Sequence, residues 1–380
     1  MLDFAAGMIF TGLAFLLVYV HVGYPALMRL LAARFPKAPG PPAPVPSSIF
    51  VVLCVRNEAG RIRTRLDNLC SLAWPASWQG LVVCDGCTDD TARIATEYGS
   101  PFQVIERAEN QGKPSALNLA ATLAPESLLV FCDARQSFAH DAIVELLAPF
   151  TDSNIGAVSG SLEIAASESG GGQGMDLYWR LERKLREWEG QYDSVVGCTG
   201  AIYALRSHLY RPIPDDTLLD DVVIPMQVVE QGYRVVFNPR ARAFDPQTLD
   251  PIVESRRKRR TLAGNFQMLV RHPGWATPLR GRIWWQLISH KYLRLTVPWL
   301  LLMLMATTVY LSSYPLFALF LAAQIGCYAL AVGGLLIPGA KPKILSIPAG
   351  FVVLQAANFQ AFFTWLTSLR DPQRVWTRGS

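Results

Sequence analysis

Apolar residues along this 380-residue chain fall into two patterns. Long uncharged runs lie toward the ends: Phe4 to Met28, Leu295 to Ala340 and Ile344 to Leu369 contain no Asp, Glu, Lys or Arg. Each meets or exceeds the roughly 20 apolar residues that cross a bilayer. From Arg29 to Arg294 charge is normal, and short apolar runs alternate with helical spacing. Ile49 to Val55 stops at Arg56-Asn57-Glu58 and gives way to a helix through Leu66 and Leu69. Leu81 to Cys84 stops at Asp85-Gly86, before a helix bearing Ala92, Ile94 and Ala95. Leu128 to Cys132 ends at Asp133. Short continuous strands between helices predict an α/β fold with a buried, mostly parallel sheet and helices on both faces. Ligands of such sheets bind outside the carboxyl ends of the strands. Asn57, Glu58, Asp85 and Asp133 are therefore expected in one crevice, although each is also a common turn former or helix cap.

The charges orient this arrangement. Arg29, Arg34 and Lys37 follow the first apolar run and Asp3 precedes it, while Arg280, Arg282, Lys291 and Arg294 precede the second. Positive flanks stay on the cytoplasmic side, so both ends of the middle segment are expected there. The predicted organisation is a transmembrane helix (1–35), a proline-rich linker (36–47), a cytoplasmic domain (48–278), an interfacial amphipathic helix (279–294), transmembrane or re-entrant helices (295–369) and a cytoplasmic tail (370–380). A break is expected near Ser312-Ser313-Tyr314-Pro315. Basic residues flank 344–369 on both sides, which favours a re-entrant or interfacial segment over a fourth crossing. Its Gln355 and Asn358 are candidates for a product path, because polar residues at membrane depth face protein or a cavity.

Composition adds little beyond this. Hydrophobic residues make up 51%, charged ones only 17%, and the net charge of +5 is weak evidence for any partner. Nothing points to nucleic acid. Seven scattered cysteines fit a reducing compartment. A stripe of Tyr178, Leu181, Leu185 and Trp188 reads as a packing face. A surface role is expected for the five histidines, His290 included.

The turns carry the chemistry. Asp85-Gly86-Cys87-Thr88-Asp89-Asp90-Thr91, Gly112-Lys113-Pro114-Ser115-Ala116-Leu117-Asn118, Asp133-Ala134-Arg135, Leu219-Asp220-Asp221 and Arg257-Lys258-Arg259-Arg260-Thr261 follow in order. In this set the chain resembles the processive branch of glycosyltransferase family two, which includes cellulose, chitin and hyaluronan synthases, over roughly residues 48 to 378. The resemblance implies a GT-A nucleotide-diphospho-sugar transferase fold, with Asp85 on a uracil ring, Asp89 shaping its loop and Lys113 at a diphosphate. It gives Asp221 the role of base in an inverting transfer, supported by Asp220. Arg260 and Arg257 would complete the donor site with Asn57 and Glu58, and Gly200, Ala201 and Thr261 would line the acceptor site.

Two positions depart from the family pattern. Asp133 keeps the first carboxylate of a D-x-D that holds Mg2+ or Mn2+ against a diphosphate, but Arg135 replaces the second. Arg135 could neutralise phosphate or form a structural ion pair. Thr261 replaces an acceptor-contacting Trp, so the product is less defined than the donor. The expected function is transfer from a UDP-sugar to a growing β-linked polysaccharide, by a multi-pass inner-membrane protein with its catalytic domain in the cytoplasm. Single transfer to a lipid acceptor is the alternative within the enzyme class. A catalytically silent sugar-nucleotide-binding partner of a membrane assembly is the alternative outside it.

Overall fold

A computed structural model describes residues 1–44, 48–124, 127–164, 172–246, 251–279, 281–337 and 342–368; for 164, 172–178, 251–259 and 368 it describes the backbone only. The strands in chain order are β1 (Ser48–Val55), β2 (Ser77–Asp85), β3 (Phe102–Arg107), β4 (Leu128–Cys132), β5 (Ser137–Phe138), β6 (Ile155–Ile164), β7 (Ile202–Arg206) and β8 (Arg234–Asp245). The helices used below are α1 (Leu2–Arg34), α2 (Ala59–Cys70), α3 (Thr91–Glu97), α4 (Lys113–Thr122), α5 (Ala142–Leu147), α6 (Gly172–Tyr192), α7 (Asp220–Glu230), α8 (Pro251–Arg271), α9 (Trp284–Tyr310), α10 (Pro315–Leu336) and α11 (Lys343–Ser368).

The strands form one sheet in the order β3-β2-β1-β4-β7-β6-β8-β5. It is a mixed sheet in which parallel pairs outnumber antiparallel ones. β3, β2, β1 and β4 run parallel, and so do β6 and β8, whereas β7 is antiparallel to both its neighbours and β5 to β8. Val51, Leu53, Val82 and Val130 point into one apolar layer, and Val52, Leu81, Val83 and Leu129 into the other. Burial on both faces explains why β1, β2 and β4 read as unbroken apolar runs. Register pairs Val55 with Cys84 and Leu53 with Cys132, so the carboxyl ends of the three strands open on one edge.

Among the described residues four helices, α1, α9, α10 and α11, are long and apolar enough to cross a membrane. The turn between α9 and α10 falls at 311–314, where a break was expected. There Tyr314 donates to Asp3 at 2.9 Å, so the start of α1 and this turn lie together. Two expectations change. Trp284 to Arg294 is no separate interfacial helix but the first part of continuous α9. Its polar side chains are buried against α6: His290 is 3% exposed, 2.7 Å from Glu182 and 2.8 Å from Glu189. A surface role for His290 is thereby excluded, because two carboxylates distant in sequence enclose it. Residues 343–368 form one unbroken helix, which excludes a re-entrant hairpin. The tail from 369 on lies outside the described residues.

The amino-terminal helix and the domain meet on α6. Leu185 packs on Tyr24 and Met28 with Trp188 beside them, whereas Leu181 is exposed and leaves the expected stripe; the Tyr178 side chain is outside the described set. Tyr24 donates to Glu189 at 2.5 Å, and Tyr19 shares a 2.8 Å hydrogen bond with Ser289. Tyr19 and Ser289 lie within π-helical turns, Tyr19–Gly23 in α1 and Ile288–Tyr292 in α9, and Tyr24 directly follows the first.

Candidate active site

The crevice is built from turns that cannot be filled by ordinary backbone. Asn57, following β1, sits at φ 53°, a region Asn tolerates because its short side chain bonds locally. Its carboxamide oxygen accepts from the Thr88 amide at 2.8 Å. Asp89 accepts from the Thr91 amide at 3.0 Å and the Ala59 amide at 3.1 Å, fastening the β2 turn to the start of α2. Those bonds hold its carboxyl below the usual range. Glu58 pairs with Arg61 at 2.8 Å on the rim. Gly86 has φ 64°, and a Cβ there would fall 2.4 Å from the Asn110 amide nitrogen.

Asp85, 4% exposed at the end of β2, accepts from the amides of Gln111 at 3.1 Å and Gly112 at 2.8 Å. Arg107 pairs with it at 3.2 Å. These contacts set the loop that launches α4, and hence the place of Lys113. The Lys113 ammonium lies 3.1 Å from Asp133 and 3.3 Å from Asp220. Burial works against its charge, but Asp133, Asp220 and Asp221 outweigh it and hold the lysine above its ordinary range. Three chain segments thus converge on one ammonium.

Asp220 and Asp221 open α7, and neither caps it: the N-cap is Leu219, without a side-chain bond. Burial, then the like charge of Asp220, raises the Asp221 carboxyl to about 6, against the opposing charges of Lys113 and Lys291. A carboxylate with such a value is suited to accept a proton near neutral pH. Gly200 lies on it, since a Cβ there would sit 2.9 Å from Asp221 Oδ2; Ala201 is buried beside it. The segment before α7 is locked by α8, where Gln267 accepts from the Leu218 amide at 3.0 Å and donates to the Asp216 carbonyl at 2.9 Å. Arg260 and Thr261 are exposed on α8, and the side chain of Arg257 lies outside the described residues.

Arg135 resolves one open choice. It pairs with Asp245 at the end of β8, which Gln136 also reaches at 3.2 Å. Asp133 is left as the carboxylate of that turn, already bonded to Lys113. Among the described residues no group of three His, Cys, Asp or Glu could hold a metal ion. Two cationic side chains thus stand where a divalent cation would need carboxylates, so the protein groups do not fit a cage for Mg2+ or Mn2+.

Several residues here escaped the sequence. Arg107 and Arg186 carry no motif, and Arg186 acts through contacts with residues near 159 and 199: it donates to Thr199 at 2.7 Å, Ser159 at 3.0 Å and the Gly197 carbonyl at 3.1 Å. Lys291 was visible only as a basic flank.

Residues 50–211 match the model described as Glycosyl transferase family 2. An N-acetylglucosaminyltransferase of Rhizobium meliloti is 26% identical over 230 residues, 55% of this chain and 53% of that protein. A beta-monoglucosyldiacylglycerol synthase of Nostoc is 23% identical over 191 residues, 46% of this chain and 39% of that one. The chain spans about half the length, or less, of these relatives. The mannosyltransferase PcManGT from Pyrobaculum calidifontis, solved in complex with GDP-Man and Mn2+, shares the fold at TM-score 0.71 and 23% identity, over 94% of this chain and 99% of that one. These matches support family 2 and a GT-A fold, and do not single out the processive branch.

Proposed function

We propose that this chain is a membrane-embedded inverting glycosyltransferase that moves a sugar from a UDP-sugar to a lipid acceptor at the cytoplasmic face of the inner membrane. One observation carries the acceptor side: α8, whose Gln267 fixes the segment leading into Asp221, stacks its Phe266 on Trp365 of α11, an apolar helix of membrane-spanning length. A hydroxyl reaching the base from that side comes from the bilayer. Polysaccharide extension, the expectation from the motifs, loses support at Asn358, which donates to the Arg294 and Leu295 carbonyls rather than lining a path. The α11 contacts support an interfacial placement, since Leu345 meets Gly334, Phe351 meets His21, and Trp365 stacks on Phe266 of α8.

In this reading Asp85 meets the nucleobase, Asp89 and Asn57 hold the turn, Glu58 lies at its rim, and Lys113 neutralises the diphosphate with Arg260 and Arg257. Asp221 takes the proton from the acceptor hydroxyl as that oxygen attacks the anomeric carbon; the diphosphate leaves with the bonding electrons, and the configuration inverts. Asp220 raises the affinity of Asp221 for the proton. Gly200, Ala201 and Thr261 border the acceptor. Asp133 holds the Lys113 ammonium in place for the diphosphate. The relatives named for glucosyl and N-acetylglucosaminyl transfer support a hexosyl donor.

The test is nucleotide release by detergent-purified protein across UDP- and GDP-sugars, with products extracted into organic solvent and sized. Release with one UDP-sugar and a short extractable product is expected. A long acid-stable polymer overturns the lipid acceptor, preference for a GDP-sugar overturns the donor, and nucleotide binding without release makes the chain a silent partner.

A further inference from the structure

The first turn of α7 contains a chemical gap. Pro225 lies inside the helix, four residues after Asp221, and proline has no amide hydrogen. The Asp221 carbonyl therefore lacks the donor that an uninterrupted helix supplies. It does not stay empty: the amide of Cys198 donates to it at 2.7 Å. Cys198 belongs to the Gly197–Gly200 loop that covers the Asp221 carboxyl.

The loop is fitted to this contact from three sides. Gly197 has φ 84°, and a Cβ there would fall 2.9 Å from a Val222 methyl and 3.2 Å from the Val222 Cα. Only a glycine lets the loop lie on the helix at that point. Gly200 leaves the room that the Asp221 carboxyl fills. From the far side the Arg186 guanidinium bonds Thr199, Ser159 and the Gly197 carbonyl, and the Thr199 amide donates to Ser159 at 2.9 Å.

We propose that Pro225 is a positioning residue for transfer, freeing the Asp221 carbonyl so that the Cys198 amide ties the acceptor-side loop to the base. The inference rests on the reading of Asp221 as the base. An amide at position 225 would compete for the same carbonyl along the helix axis. The loop would then lose its tie, and the carboxyl would lose part of its cover.

The experiment compares Pro225→Ala and Asp221→Asn with native protein, using the UDP-sugar that supports turnover and reading kcat, donor KM, the pH profile, UDP affinity and Tm. For Pro225→Ala, kcat is expected to fall about tenfold, the factor set by one neutral hydrogen bond, with donor KM and UDP affinity unchanged. Tm should not fall, because an interior proline is itself unfavourable in a helix. The acidic limb of kcat should move below 6 as the carboxyl becomes more solvated. Pro225→Val, which keeps a bulky side chain and restores the amide, replaces the alanine variant if a cavity lowers Tm. Native kcat and an unmoved limb in the properly folded variant, with Asp221→Asn inactive, overturn the proposal. Turnover by Asp221→Asn instead removes the base assignment on which the proposal rests, and the two failures are thereby distinguished.

Discussion

Asn358 Nδ2 donates to the Arg294 carbonyl at 2.9 Å, and that carbonyl is the one Pro298 leaves without a helical donor. A side chain from α11 thus replaces the missing amide in α9, and a buried polar residue in an apolar helix finds its explanation in packing. Asn358→Leu should lower stability by about 1 kcal/mol, with donor KM unchanged. Thermal unfolding in detergent checks this; native Tm with altered product length would place Asn358 on a product path instead.

Arg135 and Asp245 make a second structural prediction. Asp245 is 5% exposed, so Arg135→Ala leaves a buried charge without a main partner and should cost about 3 kcal/mol. The response of turnover to added Mn2+ or Mg2+ should keep its shape. A cation titration that steepens in the variant would put Arg135 at the donor diphosphate.

Activity should fall as pH drops through about 6, where Asp221 takes up a proton. Because its native value lies above the unfolded one, near 4, the folded state binds the extra proton more tightly. Stability therefore gains from this group as pH falls from about 6 toward 4, in the same window where turnover is lost. Asp220→Asn removes a like charge and should move the limb of kcat downward. A limb that stays in place would mean another group controls it.

Lys113→Met should weaken UDP binding about thirtyfold, the loss of one charge-assisted contact worth roughly 2 kcal/mol. It should also move the Asp221 limb upward, since the ammonium opposes protonation there. Isothermal calorimetry and a pH profile read the two effects; unchanged UDP affinity would take Lys113 out of the donor site.

The sequence made some of this legible and hid the rest for physical reasons. β1, β2 and β4 are buried on both faces, so each shows as a continuous apolar run, and the acids at their ends stand out against it. Asp85, Lys113, Asp133 and Asp221 sit in short, ordered motifs. β6, β7 and β8 depend on partners 30 or more residues away, as Ser159 pairing with Phe237 and Tyr203 shows. Arg135 could not be assigned because Asp245 is distant in sequence. The segment around Trp284 and Lys291 has the composition of an interface helix, but Glu182 and Glu189 on α6 turn His290 inward and Tyr19 on α1 does the same for Ser289.

If the crevice takes a diphosphate, as proposed, the Lys113 ammonium held between Asp133 and Asp220 makes it behave as an ion exchanger. In that reading the carboxylates act as placeholders, and an incoming diphosphate takes over a counterion already in position. When the nucleotide departs, the same carboxylates reclaim the ammonium, so loading and unloading of the crevice are one exchange run in opposite directions.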